Sequence, residues 1–200
     1  MTAHPEPQLA PPGAGLPRFE LFVARLLMAW RRRESVGQSA ARFRHEREAV
    51  ARLVDGCDPG AAGVRVLIKR PVGLEDSSRF WSIWMVLDHL RIIHHATTRV
   101  IQALTHGSVP EKAASTAGVK PSPAAGPEVR ASYEESCDLL LTTANDASDL
   151  RTTLRYAHPW FGPLNAAGWF SMAGSHLGLH RGQMTRILAE LARQRQNQHS

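Results

Sequence analysis

Lysine is nearly missing from this chain. Lys69, Lys112 and Lys120 are the only three, so the formal charge of +6 rests on arginine. Arg31, Arg32 and Arg33 form the one tight basic run, and neither interleaved aromatics nor a recognised motif follows it. It reads as a solvated helix end, and nucleic acid is not an expected partner. Cysteine is scarce too: Cys57 and Cys137 stand alone and form no CxxC, so both are expected as thiols that fill small gaps in a core. No apolar run approaches the roughly 20 residues needed to cross a bilayer. The longest, residues 21–30 and 83–90, are interrupted by Arg25 and Asp88. The start of the chain lacks the basic and apolar regions of a secretory signal, which makes the cytoplasm the expected location.

What is present is the balance of a globular domain: 200 residues, 43% hydrophobic and 21% charged. Residues 1–16 read as a flexible, proline-rich leader, 17–195 as one domain, and 196–200 as a tail. Four helical stretches are expected. In the first, Phe19, Phe22, Val23, Leu26, Leu27 and Trp30 recur at three-and-four spacing. A weaker apolar face continues past Gly37 to Gly56, as one kinked helix or two. Val64, Val66 and Ile68 alternate, but no second strand pattern is there to pair with them, so an extended connection is expected. The second long helix is expected to begin behind Asp76, Ser77 and Ser78, which are N-cap residue types, and to run to Gly107. Residues 107–127 are rich in Gly, Pro, Ala and Ser and read as a flexible connection. A third helix follows from about Glu128. The last starts near Asn165, after the turn HPWFGPLN, and runs to about Arg195. Four helices with no convincing sheet make an all-α four-helix bundle with long loops.

Ten histidines are many for this length, and their positions are informative. His4 and His199 lie in the tails, His45 among charges, and His106 at a helix end where a partly positive ring suits the macrodipole. His176 and His180 are different. Four residues apart on a helix, they lie about 40° apart around the axis and about 6 Å along it, so both rings can reach one ion. They share a stripe with Trp169, Met172 and Ile187 and should point inward. Leu177, Gly178 and Leu179 separate them, so the glutamate of a HExxH protease helix is missing. A third ligand must come from another helix, and His89, set between Leu87 and Leu90, is the best candidate. His94 and His95 are expected at the periphery of such a site or on the surface. Glycines 174, 178 and 182 recur every fourth residue on the opposite side of the last helix. They suit close packing against another helix or a second subunit, or else mark a soft exposed face.

A helix carrying SRFWSIWMVLDHL, a variable loop, the turn HPWFGPLNAAGWF and a final helix with HLGLH together resemble the DinB-like (YfiT-like) metal-dependent superfamily. The resemblance spans roughly residues 73–191. It implies a bundle of DinB/YfiT type in which His89, His176 and His180 hold one divalent ion. It also implies an enzyme, either a transferase using a low-molecular-weight thiol such as mycothiol, bacillithiol or glutathione, or a hydrolase. Homodimers occur among proteins of this kind.

Three neutral imidazoles suit zinc, nickel, iron or manganese and leave coordination positions open, as catalytic sites do. Such an ion acidifies water or a thiol, and the expected substrate is a small molecule. Gln183, one turn past His180, could hydrogen-bond a ligand or a substrate. His158 could reach the mouth of the site. Asp88 and Arg91 flank His89, while Glu75, Asp76 and Arg79 read as a capping and salt-bridge group. None of these is read as a general base. The alternative is a non-catalytic helical binding or stress-response protein with a structural or vestigial ion.

Overall fold

The computed structural model describes residues 6–198; His4 and His199 lie outside the described residues. The first helical stretch is two helices, α1 (Arg18–Arg31) and α2 (Val36–Asp55). The break falls before Gly37. Ser35 Oγ accepts from the Gln38 amide, and the Gln38 side chain accepts from the Ser35 amide, a reciprocal cap that starts a new helix. Glu34 fixes the joint by accepting from Arg31 at 2.5 Å and from Arg42.

A one-turn helix, α3 (Pro59–Ala62), leads to the strand β1 (Val66–Leu67). Here the structure corrects the expectation of an unpaired connection. Val66 and Leu67 pair antiparallel with Trp81 and Phe80 of β2 (Phe80–Trp81). The second long helix accordingly starts later than expected. Asp76–Ser78 forms a 3-10 turn, and α4 (Ile83–Thr105) begins behind Ser82, whose hydroxyl accepts from the Met85 amide at 3.2 Å. Residues 83–90 are all buried.

The 107–127 connection carries one 3-10 turn, Ala117–Val119, and leads to α5 (Val129–Asp146). The turn before the last helix is a hairpin of β3 (Tyr156–His158) and β4 (Gly162–Leu164). Gly162, at φ +70°, supplies the left-handed residue that closes a three-residue loop onto such a ribbon. Then α6 (Ala166–Gln198) runs the length of the molecule, with Asn165 Oδ1 accepting from the Gly168 amide at 2.9 Å.

The bundle consists of α2, α4, α5 and α6, with α4 packed on both α5 and α6 and α2 on α6. The core runs from Phe43 and Val50 through Leu87, Leu90 and Ile101 to Leu140, Leu177 and Ile187. The glycine stripe faces α2. A Cβ on Gly174 would stand 3.4 Å from the Phe43 amide, and one on Gly178 would stand 3.2 Å from the Glu46 carboxyl carbon. The two helices thus approach closely within one chain, and those two glycines are not a surface for a second copy. Residues 6–16 form no helix or strand, but they are tied down. The Ala10 amide donates to Asp76 at 2.8 Å, and Glu6 pairs with Arg65 at 2.8 Å.

Candidate metal centre

His89 projects from the second turn of α4, and His176 and His180 project from one face of α6. The α4–α6 packing brings their ring tips together. His176 Nε2 lies 3.3 Å from His89 Nε2 and 3.1 Å from His180 Nε2. One nitrogen from each ring falls within 4.8 Å of the other two. His89 and His180 are buried, and His176 is half-buried with its Nδ1 shut off from solvent.

The far side of two of these rings is fixed. His89 Nδ1 donates to the carbonyl of Val119 at 2.6 Å. Gln183 Nε2 donates to the carbonyl of Ser78 at 2.7 Å, which leaves Gln183 Oε1 to accept from His180 Nδ1, also at 2.7 Å. With the proton held on Nδ1, a neutral imidazole offers a bare lone pair at Nε2. Two such lone pairs therefore aim into one space. The His176 ring can donate to one of them at most, and then the other stays unsatisfied. His176 Nδ1 is itself buried with no partner.

An electrophile between the three tips would resolve this. Ligands on one ion at about 2.0–2.1 Å stand roughly 3.0–3.4 Å apart, which matches the two Nε2 separations from His176. The donor set fits a divalent ion.

The electrostatics agree. Burial lowers His89 to about 4, against the opposing hydrogen bond to Val119. Burial, then the neighbouring histidines, drives His176 well below its ordinary value, and burial with His89 does the same to His180. All three are neutral near pH 7, the form a ligand requires.

The wall of the site draws on residues beyond the histidines. Trp81 stacks parallel to His180 with 6.2 Å between ring centres and tilts against His89 at 5.2 Å. Lys120 Nζ donates to Glu75 at 2.7 Å, to Ser77 at 2.9 Å and to Ser78 at 3.1 Å, and sits 5.5 Å from the Trp81 ring. The 107–127 connection is therefore more than a spacer, since Val119 and Lys120 both come from it. Asp88 is occupied away from the histidines, accepting from Arg91 at 2.7 Å and from the Ser122 amide at 2.8 Å. Asp76 pairs with Arg79 at 2.9 Å, as a salt-bridge group should, but no side chain caps the 3-10 turn.

His158 does not join the cluster. Its Nδ1 accepts from the Trp160 amide at 3.1 Å, its ring stacks on Phe161, and burial lowers it to about 4. His94 is neither on the surface nor part of the triad. It is fully buried, with Nδ1 3.1 Å from Ser136 Oγ and 3.5 Å from Cys137 Sγ, its Nε2 unpartnered, and its ring against Phe43 and Tyr133.

Fold and site together define a helical bundle with a convergent three-histidine cluster between two of its helices. The sequence model of the DinB superfamily matches residues 42–184, which is more than half of the chain and includes all three histidines. The chain belongs to the DinB superfamily. No curated protein matches it. Among solved structures it is similar to TT2238, described as a four-helix bundle protein, at 22% identity and a TM-score of 0.55, over 74% of this chain and 96% of that one. That likeness shows the bundle fold.

Proposed function

We propose that His89, His176 and His180 hold one divalent metal ion through Nε2, and that the protein is a metal-dependent enzyme acting on a small molecule. The observation that carries this reading is the pair of lone pairs aimed into one space, with Val119 and Gln183 holding the opposite protons. Membership of the DinB superfamily supports it. Zinc, nickel, iron and manganese all suit three neutral imidazoles. An ion with three protein ligands supplies Lewis acidity, which acidifies a water molecule or a thiol.

The chain's own residues orient and screen. Val119 and Gln183 set the tautomers of His89 and His180. Trp81 excludes water from one side of the triad. Lys120 keeps a positive charge close enough to oppose protonation of His89 and His180. No carboxylate joins the three histidines in a metal-binding group among the described residues. A low-molecular-weight thiol and water each bring their own proton to such an ion, and thiol transfer and hydrolysis are the two reactions this reading covers.

Elemental analysis of the purified protein tests the site. One metal per chain is expected, lost in His176→Ala or His180→Ala and kept in His45→Ala. A full equivalent retained by His180→Ala removes the proposed coordination. Consumption of a thiol with a maleimide-like or epoxide electrophile, with and without chelator, tests the chemistry. If no added thiol is ever consumed, the transferase reading fails.

A further inference from the structure

The helix α1 carries its apolar residues on the wrong side. Phe19, Phe22, Val23, Leu26, Leu27 and Trp30 are 42–75% exposed, while Met28 is its one buried residue. At 100° per residue the six fall within an arc of about 140°, with Met28 opposite its centre. This is a continuous stripe, and no charged side chain lies within it. Three aromatic and three aliphatic side chains so exposed leave on the order of 600 Å² of apolar surface, at the upper end of what a monomer shows. The described part of the leader is bonded elsewhere, Glu6 to Arg65 and Ala10 to Asp76.

We infer that this stripe is the contact with a second copy of the chain, packed stripe to stripe across a two-fold axis. A standard interface buries about 800 Å² on each partner, and the stripe supplies most of that from one helix. Its composition, aromatic and aliphatic at the centre with arginine at the edge, is that of an interface core and rim. A two-fold axis suits it because the same patch serves both copies.

The arginines argue against a lipid surface. Five lie on or beside α1, and three are turned back on the protein. Arg25 donates to the Trp160 carbonyl at 2.7 Å, Arg32 to the Phe161 carbonyl at 3.2 Å, and Arg31 to Glu34 at 2.5 Å. Arg25 and Arg32 tie α1 to the β3–β4 hairpin, and the three together do not form a row of cations for anionic headgroups.

The test is the mass of the full-length protein in solution at micromolar concentration, by sedimentation or light scattering. The wild type is expected at twice the mass of one chain. Phe22→Glu with Leu26→Glu is expected at half the wild-type mass, with helical circular dichroism and metal content unchanged. If the glutamate pair loses its helical signal, Phe22→Gln with Leu26→Gln gives the same reading. A monomeric wild type overturns the inference, and so does a dimer that persists in the folded variant. Vesicles of phosphatidylcholine with phosphatidylglycerol provide a second arm. A monomeric wild type that floats with them, while the variant does not, makes the stripe a lipid surface instead. Because metal content is read separately, failure here leaves the histidine site untouched.

Discussion

Gln183 meets His180 side chain to side chain at 2.7 Å, and the carbonyl of Ser78 decides which end of the amide it presents. A carbonyl can only accept, so the amide nitrogen is committed to Ser78 and the amide oxygen to His180 Nδ1. The ring is thus locked with its Nε2 free. Partners of this kind hold a ligand's tautomer and orientation, and their loss typically costs 10- to 100-fold in metal affinity. Gln183→Leu should weaken the metal by about that factor without displacing the three histidines. Gln183→Glu still accepts from Nδ1 and should hold the metal better than Gln183→Leu, but its second oxygen faces the Ser78 carbonyl and should lower the melting temperature. Competition against a chromophoric chelator measures both. Equal affinities for wild type and Gln183→Leu would reduce Gln183 to a core spacer.

The glycines of α6 separate by what faces them. Gly182 meets only the tip of the Arg186 side chain, at 3.5 Å. Gly182→Ala should stabilise the protein by roughly 0.5–1 kcal/mol, the usual gain of alanine over glycine inside a helix. Gly174 faces the backbone of Phe43 on α2, which cannot step aside. Gly174→Val should destabilise by about 1–3 kcal/mol through overpacking. Thermal melts of the two variants should move in opposite directions, and a shift of the same sign in both would mean that the α2–α6 contact is not tight.

Much of this was legible from the chain alone, for local reasons. His176 and His180 share a face because a helix repeats every 3.6 residues, and no tertiary knowledge is needed to say so. Pairing them with His89 needed only that one more imidazole fall on the buried side of a second helix. The remainder depends on contacts that leave no trace in a residue's type. Val119 acts through a backbone carbonyl, which every residue has. The Phe80–Trp81 strand is two residues long, too short to show a period, and its apolar residues run into those of α4. Tyr133 and Cys137 fall on one side of α5 by their spacing, yet together with Ser136 they surround a buried imidazole. The six apolar residues of α1 have the spacing of a helix face, and that face is exposed. Periodicity gives a face but not what the face meets.

Thiol reactivity should divide the two cysteines. Burial pushes Cys137 up to about 12, and it lies wholly inside the core beside His94 and Tyr133. Cys57 is half-buried, and burial and Asp58 raise it from its ordinary value. A thiolate-specific reagent should modify Cys57 slowly and Cys137 only on unfolding, because the thiolate is the nucleophile. Mass spectrometry after labelling in buffer and in denaturant gives the count. Fast labelling of Cys137 in the native protein would mean that the His94 pocket opens to solvent, and it would make that cysteine a candidate for chemistry.

Acid should destabilise the protein once metal is stripped, and the sign follows from His94. Burial holds it at about 3 when folded, against 6.5 for an ordinary imidazole. Below pH 6.5 the unfolded chain takes up a proton there that the folded chain refuses, so the unfolded state binds more protons and stability falls as pH falls. The contribution is fully present above pH 6.5 and is lost at about 1.4 kcal/mol per pH unit below it, or roughly 2 kcal/mol by pH 5. His158, lowered to about 4 by burial, acts in the same direction. Denaturant melts of chelator-treated protein from pH 7.5 to pH 5 should show a steep loss. In His94→Gln the slope should be shallower by about one proton, that is about 1.4 kcal/mol per unit, whatever that substitution does to stability at pH 7.5. A wild-type curve flat across this range would mean that these imidazoles reach water in the folded state.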